Sequence, residues 1–172
     1  RSVGVPGIPR LFETLHERFG KLGWGEVFAA AIDLAEKGFA ISPRLEALVA
    51  DDLDLLAAEP ATRAYFLDAA GKPLPAGMTL KNPDYAATLK IIAEGGADAF
   101  YTGPLAEKIV AAVSGHPTNP GGMTLADLTG YRVQELGAVC RAYRGYNVCG
   151  MGPPSSGGIA VGQILGLIEP FE

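Results

Sequence analysis

The serines and glycines near the end of the chain have the types and spacing that come closest to a catalytic motif. They lie in the stretch GPPSSGGIAVG, residues 152–162, between a strand-like run and an apolar, helix-like run. Similar residues serve three chemistries: phosphate binding by a P-loop, dinucleotide binding at a glycine-rich turn, and acyl transfer by a serine on a tight turn. Each chemistry requires a definite spacing, against which the stretch can be compared.

None of the three spacings is present. No lysine follows the glycines, as a P-loop requires, and the pattern G-x-G-x-x-G is missing. A nucleophile elbow has glycine two positions before and after its serine, whereas Ser156 has Pro154 before it and Gly158 after it. The two histidines, His16 and His116, are distant in the sequence and indicate no general base. We therefore predict that the chain contributes no catalytic residue.

The stretch instead predicts an entry into a helix. The double proline predicts extended backbone, and one of the two serines after it predicts a side-chain N-cap. Glycines recur every four residues, at Gly158, Gly162 and Gly166, so they share one helix face that another element can approach closely. Apolar side chains surround that face, and we expect the helix to be buried nearly all round. We assign this structural role to Pro153, Pro154, Ser155, Ser156, Gly157 and Gly158.

The residues before that stretch predict an antiparallel hairpin with two cysteines opposite each other. The run AVCRAYRGYNVCGM alternates and is rich in aromatic residues. If Arg144-Gly145 is a two-residue turn, Cys140 faces Cys149 in a non-hydrogen-bonded pair, where opposing side chains come closest. A disulfide is geometrically possible there. We prefer the interpretation of two reduced thiols packed as small apolar groups; a metal site is disfavoured, because neither histidine lies nearby in sequence.

Helices predominate in the rest of the chain, so the predicted fold class is α+β, mainly helical with a C-terminal antiparallel hairpin. Apolar spacing, N-cap residues and first-turn prolines set the predicted helices. These are Pro9–Phe19, Trp24–Lys37, a helix from Ser42-Pro43 to about Ala58, one after Asn82-Pro83, one after Pro104, and a capped turn at Thr124–Asp127. A short hairpin or turn is expected in residues 65–77 and a strand in residues 131–136.

Composition excludes several classes of partner. The chain has 172 residues and a formal net charge of −5, and its fourteen Lys and Arg form no basic stripe, so nucleic acid is not expected to bind. No apolar run reaches the roughly 18–20 residues of a membrane span. The acidic run at residues 51–59 is interpreted as a solvated surface. Both ends are interpreted as internal, so residues 1–172 are expected to be one segment of a longer protein.

Five segments, in order, resemble the large subunit of gamma-glutamyltranspeptidases. They are GVPG at Gly4–Gly7, HERFGKLGWGEVFAAAIDLAEKGFAISPRL at His16–Leu45, ADAFYTGPLAEKIV at Ala97–Val110, MTLADLTGYRV at Met123–Val133 and YRGYNVCGMGPPSSGG at Tyr143–Gly158. The resemblance implies an N-terminal-nucleophile hydrolase with a four-layer αββα sandwich. It also implies a precursor that cuts itself before a threonine. That threonine attacks a gamma-glutamyl amide, usually of glutathione, with its own α-amine as base and no metal or organic cofactor.

The working residues of that family are expected outside this chain. The resemblance places the threonine beyond Glu172 and a carboxylate-binding arginine upstream of Gly4–Gly7; Arg1 lacks the Arg-Glu motif and receives no role. Gly152 stands where many relatives have a third proline. The implied partners are the remainder of the large subunit and the small subunit, and the segment alone is expected to be inactive.

Three other interpretations remain open from the sequence. One is a cephalosporin or glutaryl acylase of the same fold, another is a non-catalytic relative that acts as a scaffold, and the third is a small independent α+β binding domain. By resemblance to bacterial relatives, the protein is expected in the periplasm or outside the cell. An oxidising compartment would favour a bridge between Cys140 and Cys149.

Overall fold

A computed structural model describes residues 3–171, so Arg1, Ser2 and Glu172 lie outside the described residues. The chain separates into two compact units, Arg1–Arg132 and Val133–Glu172. The described part of the first unit contains a 3-10 helix at Trp24–Phe28 and the elements α1 Ile8–Phe19, α2 Ala29–Lys37, β1 Phe39–Ala40, α3 Pro43–Asp51, α4 Leu53–Ala58, α5 Pro60–Phe66, β2 Thr79–Leu80, α6 Pro83–Gly95, α7 Asp98–Tyr101, α8 Gly103–Ser114 and α9 Leu125–Thr129.

Helix starts follow the predicted capping residues. Ser42 and Asn82 each accept a hydrogen bond from the main-chain N–H three residues later, at 3.1 and 2.9 Å. Thr124 and Asp127 form a reciprocal capping box before α9. These bonds satisfy N–H groups that the first helical turn leaves without partners. The helix starts predicted at these three positions are confirmed.

Two predicted helices are interrupted in the structure. The segment predicted as one helix from Trp24 to Lys37 begins as a 3-10 helix and becomes α2 at Ala29. The Trp24 indole N–H donates to the Ile92 carbonyl at 2.9 Å, a tertiary bond that holds the tighter first turn against α6. The helix that begins after Ser42 breaks at Asp52, where φ is −105° and ψ is 23°, and resumes as α4.

Two regions predicted to be extended have different outcomes. In residues 65–77, where a short hairpin or turn is predicted, the structure has a turn closed by one bridge, Leu67 with Pro73, and α5 takes up the residues before it. The strand predicted at residues 131–136 is wrong. The ring of Tyr131 stacks on Tyr101 with centroids 5.6 Å apart, and its N–H donates to the Leu128 carbonyl at 3.1 Å. Tertiary packing therefore outweighs the local alternation.

One cluster of buried side chains in the first unit comes from α7, α8, α9 and the residues beside them. Ala97, Tyr101, Ala106, Met123 and Leu128 form this core. Tyr101 and Leu128 are its largest fully buried side chains. Strands β1 and β2 form a separate two-stranded antiparallel pair between helices.

The second unit is a hairpin followed by a helix: β3 Val139–Tyr143, β4 Tyr146–Gly150 and α10 Gly157–Ile168. Arg144 and Gly145 link the strands, with φ of 47° and 84°. Positive φ at both central positions is typical of the type I′ turn, whose twist matches the hairpin. Cys140 pairs with Cys149, as the two-residue turn predicts. The α+β class with a C-terminal hairpin is confirmed.

Candidate functional site

The double proline forms a turn rather than extended backbone. The peptide bond between Pro153 and Pro154 is cis, and the Ser155 N–H donates to the Gly152 carbonyl at 3.1 Å. Proline restricts its own φ, but it leaves both isomers of the preceding bond accessible. The prediction of extended backbone is therefore wrong, because the sequence pattern does not specify the isomer.

Ser156 is the N-cap of α10, but its side chain does not cap the helix. Its backbone is already helical, with φ of −84° and ψ of −18°, and its side chain makes no capping hydrogen bond. A capping side chain reaches the next turn from extended backbone. The helix start is as predicted, whereas the predicted serine cap is wrong; the Ser156 carbonyl still accepts the N–H of Ala160 at 2.9 Å.

The glycine face of α10 is where the hairpin approaches the helix. A Cβ at Gly158 would lie 2.5 Å from the Met151 carbonyl oxygen and 3.2 Å from the Gly150 Cα. At Gly166 a Cβ would lie 2.6 Å from the guanidinium carbon of Arg141. The same guanidinium pairs with Glu169 at 3.1 Å. The predicted close approach along the glycines is confirmed.

The outward face of α10 differs from its prediction. No described residue of the helix is buried, and Leu167 and Ile164 are 73% and 56% exposed. The sequence pattern shows that these side chains are apolar, but it does not show which element covers them. The expectation that the helix is buried nearly all round is thus not met within this chain.

The two cysteines are joined in the hairpin. The sulfurs of Cys140 and Cys149 are 2.13 Å apart, and their Cα atoms are 4.1 Å apart. The structure has the disulfide, so the preference for two reduced thiols is wrong. Both residues are exposed.

A second group of polar side chains lies in the first unit, around Arg10 of α1. Arg10 pairs with Glu13 at 2.6 Å and with Asp98 at 2.5 Å. The other carboxylate oxygen of Glu13 accepts the N–H of Ala97 at 2.7 Å. The Tyr101 hydroxyl accepts the Arg10 N–H at 3.3 Å and donates to the carbonyl of residue 6 at 2.7 Å. Apart from the pair of Arg10 with Glu13, three positions apart, these contacts join residues 84 to 95 positions apart, so no local sequence pattern indicates them.

The electrostatics of this group indicate a structural tie rather than acid–base chemistry. Burial acts to lower the pKa of Arg10, but Asp98 and Glu13 outweigh it and raise that pKa above its usual value. Burial also raises the pKa of Tyr101. Both groups therefore carry their protons at neutral pH, so neither can act as a general base there.

Both histidines are engaged by nearby groups in the first unit. The Nε2 atom of His16 lies 2.8 Å from the Leu22 carbonyl oxygen, and that of His116 lies 3.0 Å from a carboxylate oxygen of Glu59. The Thr118 hydroxyl lies 3.4 Å from the Nδ1 atom of His116, and the same nitrogen accepts the Asn119 N–H at 3.1 Å. Within residues 3–171 there is no group of three or more metal-ligating side chains. The acidic residues 51, 52 and 54 are exposed, as predicted.

The Nδ1 atom of His116 already accepts a main-chain N–H, so it is not placed to take a proton from the Thr118 hydroxyl. The turn that contains Ser155 and Ser156 leads into α10, and the glycines of α10 allow the main chain of the hairpin to pack against it. Among residues 3–171, no helix is long and apolar enough to cross a lipid bilayer.

Comparison with known proteins gives these features a family context. A sequence model of the gamma-glutamyltranspeptidase family matches residues 1–172. The chain is 38% identical over 172 residues to the acylase ACY 1 proenzyme of Pseudomonas sp. strain SE83, covering all of this chain and 30% of that protein. It is 36% identical over 176 residues to the glutathione hydrolase proenzyme of Escherichia coli K12, covering 99% of this chain and 29% of that protein.

Solved structures agree. The chain superimposes on gamma-glutamyltranspeptidase of Helicobacter pylori with a TM-score of 0.91 and 32% identity, covering 99% of this chain and 48% of that one. For a cephalosporin acylase of Bacillus halodurans the TM-score is 0.85 at 28% identity, covering 97% and 31%. The fold is that of N-terminal-nucleophile hydrolases, and the chain spans about three tenths of the length of the curated relatives quoted above. The chain belongs to the gamma-glutamyltranspeptidase family.

Proposed function

We propose that the complete protein hydrolyses or transfers the gamma-glutamyl group of glutathione and related amides, through an N-terminal threonine outside this chain. The observation that carries the proposal is the family match across all 172 residues. In the proposed reaction the threonine hydroxyl attacks the amide carbonyl while the α-amine takes its proton. The resulting ester then passes its acyl group to water or to an amine.

Residues 1–172 are proposed to act as a scaffold within the large subunit. Two exposed apolar faces support that role: Phe12, Leu15 and Phe19 on α1, and Ile164 and Leu167 on α10. Apolar faces of this kind normally pack against another element. We propose that the remainder of the large subunit and the small subunit cover them.

Self-processing is the first test. The complete precursor would be expressed and purified, and the N-terminus of any smaller band determined. A new band that begins with threonine is expected, and replacing that threonine by alanine should abolish the band. A single uncut chain would refute the proposed mechanism and favour the non-catalytic scaffold.

The inactivity of the isolated segment is tested separately. The purified segment should release no p-nitroaniline from a gamma-glutamyl anilide above the background rate, because the His116 nitrogen beside the Thr118 hydroxyl already accepts a main-chain N–H. Release at a rate that scales with segment concentration would contradict this expectation. The complete, processed protein is the positive control.

Acylase activity is the second candidate, favoured by the likeness to the ACY 1 proenzyme and to the cephalosporin acylase structure. Gamma-glutamyl and glutaryl anilides differ only by the α-ammonium group of the former. A transpeptidase site that binds the α-ammonium group should prefer the gamma-glutamyl compound. The glutaryl compound lacks that group, so its binding would leave the polar side chains that recognise the ammonium without a partner. A preference for the glutaryl anilide would replace the proposed function by the acylase function.

The protein is further proposed to act in the periplasm or outside the cell. The disulfide of Cys140 and Cys149 supports this location, because such bonds persist in oxidising compartments. Intact protein recovered without reductant should be ~2 Da lighter than after reduction, the mass of the two hydrogens lost on forming one bridge. An unchanged mass would count against the bridge and this support for export.

A further inference from the structure

We propose that the Cys140–Cys149 bridge is a thiol-sensitive clamp that holds the hairpin in the register on which α10 sits. The inference concerns this chain's own second unit and holds whichever substrate the complete protein uses. Three observations carry it: where the bridge lies in the hairpin, how α10 contacts the next pair of the ladder, and how exposed the two cysteines are.

The bridge lies at the open end of the hairpin. Five residue pairs run from Tyr143 with Tyr146, beside the turn, to Val139 with Gly150 at the far end. The cysteine pair is the one immediately before that last pair. The turn holds the near end, whereas an isolated two-stranded hairpin is marginally stable and opens from its far end. The covalent bond therefore ties the end of the ladder that the turn does not hold.

Helix α10 depends on that last pair. Gly158, in its first turn, approaches the main chain of Gly150 and Met151 so closely that a Cβ would lie 2.5 Å from the Met151 oxygen. A slip of the ladder by one residue would move this surface and turn every side chain to the other face. No described residue of α10 is buried, so little other packing within this unit restores the position.

The bridge is accessible to a thiol in this unit. Residues of α10 contact the hairpin face that carries Arg141. Successive residues of a strand point to opposite faces, so Cys140 and Cys149 lie on the face away from the helix. Both are exposed. A reagent therefore reaches the sulfurs without displacing α10.

The chemistry is ordinary thiol–disulfide exchange with a dithiol as reductant. A dithiol thiolate attacks one cysteine sulfur, which breaks the S–S bond, frees the other cysteine as a thiolate and forms a mixed disulfide. The second dithiol sulfur then displaces the remaining cysteine. Two cysteine thiols and one cyclic disulfide result, so two electrons and two protons pass from the dithiol to the protein.

Hydrogen exchange on the complete protein, with and without dithiothreitol, tests the clamp. Peptides from Val139–Gly158 should exchange about tenfold or more faster after reduction, since local opening controls their exchange. Peptides from α6, in the first unit, should keep their rates and serve as an internal control. Removing the reductant in air should restore the original exchange. The double variant C140S/C149S should exchange fast in both conditions.

Each other outcome overturns the proposal. If both cysteines alkylate fully after reduction and residues 139–158 keep their exchange rates, the bridge is no clamp. If neither cysteine alkylates under native conditions, the bridge is not thiol-sensitive. If α6 loses protection as much as the hairpin does, the effect is not local. Should the double variant fail to fold, reduction and reoxidation of the wild-type protein decide the question without it.

Discussion

Replacing Gly158 by alanine tests the packing of α10 on the hairpin. The added Cβ would lie 2.5 Å from the Met151 carbonyl oxygen and 3.0 Å from the Gly150 carbonyl carbon. Ordinary contact begins near 3.4 Å, so one main chain must move by about 0.9 Å. Overpacking against main chain costs about 1–3 kcal/mol, and the better helix propensity of alanine returns up to about 1 kcal/mol. We expect a net loss of about 1–2 kcal/mol.

Gly162, one turn along the same face, is the matched control. A Cβ there would meet only the Cβ of Arg141, at 3.9 Å, which is ordinary contact. Gly162→Ala should therefore show the propensity gain alone, about 0.5–1 kcal/mol. Both variants replace glycine by alanine in the same helix. If one loses stability and the other gains it, the difference is due to the steric contact at Gly158.

The assay is hydrogen exchange of α10 peptides in the complete protein. A loss of about 1–2 kcal/mol should raise exchange by about 5- to 30-fold in Gly158→Ala, whereas Gly162→Ala should slow it. If Gly158→Ala exchanges no faster than wild type, or both variants lose protection equally, the argument from close approach is wrong.

Three further predictions concern the first unit. Glu13→Ala should lower the free energy of unfolding by about 1–3 kcal/mol, because it leaves the Ala97 N–H without its acceptor; urea unfolding measures this. Tyr101→Phe should cost about 1–3 kcal/mol in the same assay, since a buried hydroxyl loses two main-chain partners. Hydrogen bonds from Thr124 hold the pKa of Asp127 below its ordinary value of 3.8, so NMR titration should show that pKa return upward in Thr124→Val. Because the folded pKa is the lower one, the box stabilises α9 above pH 3.8 and this contribution is lost as the pH falls through the folded pKa.

Control variants for the two stability predictions, and the results that would refute each of the three predictions, are as follows. Glu17→Ala and Tyr85→Phe change exposed residues of the same types and should shift stability by less than about 0.5 kcal/mol. Equal losses in Glu13→Ala and Glu17→Ala would show that the Ala97 bond contributes nothing measurable. If Tyr101→Phe is as stable as wild type, the hydrogen bonds of the Tyr101 hydroxyl contribute nothing measurable to stability. An Asp127 pKa unmoved by Thr124→Val would remove the hydroxyl as the cause of its shift.

Features set by neighbouring residues were predictable from the sequence. The caps at Ser42, Asn82 and Thr124 depend on groups within three positions, and the turn at Arg144-Gly145 determines which cysteines face each other. Caps and two-residue turns depend on groups only a few positions apart, so neighbouring residues are enough to specify them.

Features set by distant residues were not predictable. The stacking of Tyr131 on Tyr101 replaces a predicted strand, and the Trp24 bond to α6 accompanies a 3-10 turn where a helix was predicted. The isomer of the bond before Pro154 is likewise absent from residue identity. In the candidate site, the sequence alone shows that the spacing of a P-loop or a nucleophile elbow is missing. The hydrogen bonds around Arg10 and Glu13 could not be predicted, because they join residues far apart in the chain.

The uncovered apolar faces of α1 and α10 affect how the protein is made. Until another element covers them, these faces can meet their counterparts on a second copy, so docking within one molecule competes with self-association. The rate of docking within a molecule is independent of concentration, whereas the rate of association rises with it. The yield of native protein should therefore fall as synthesis becomes faster, and slower synthesis should recover it without any change of sequence.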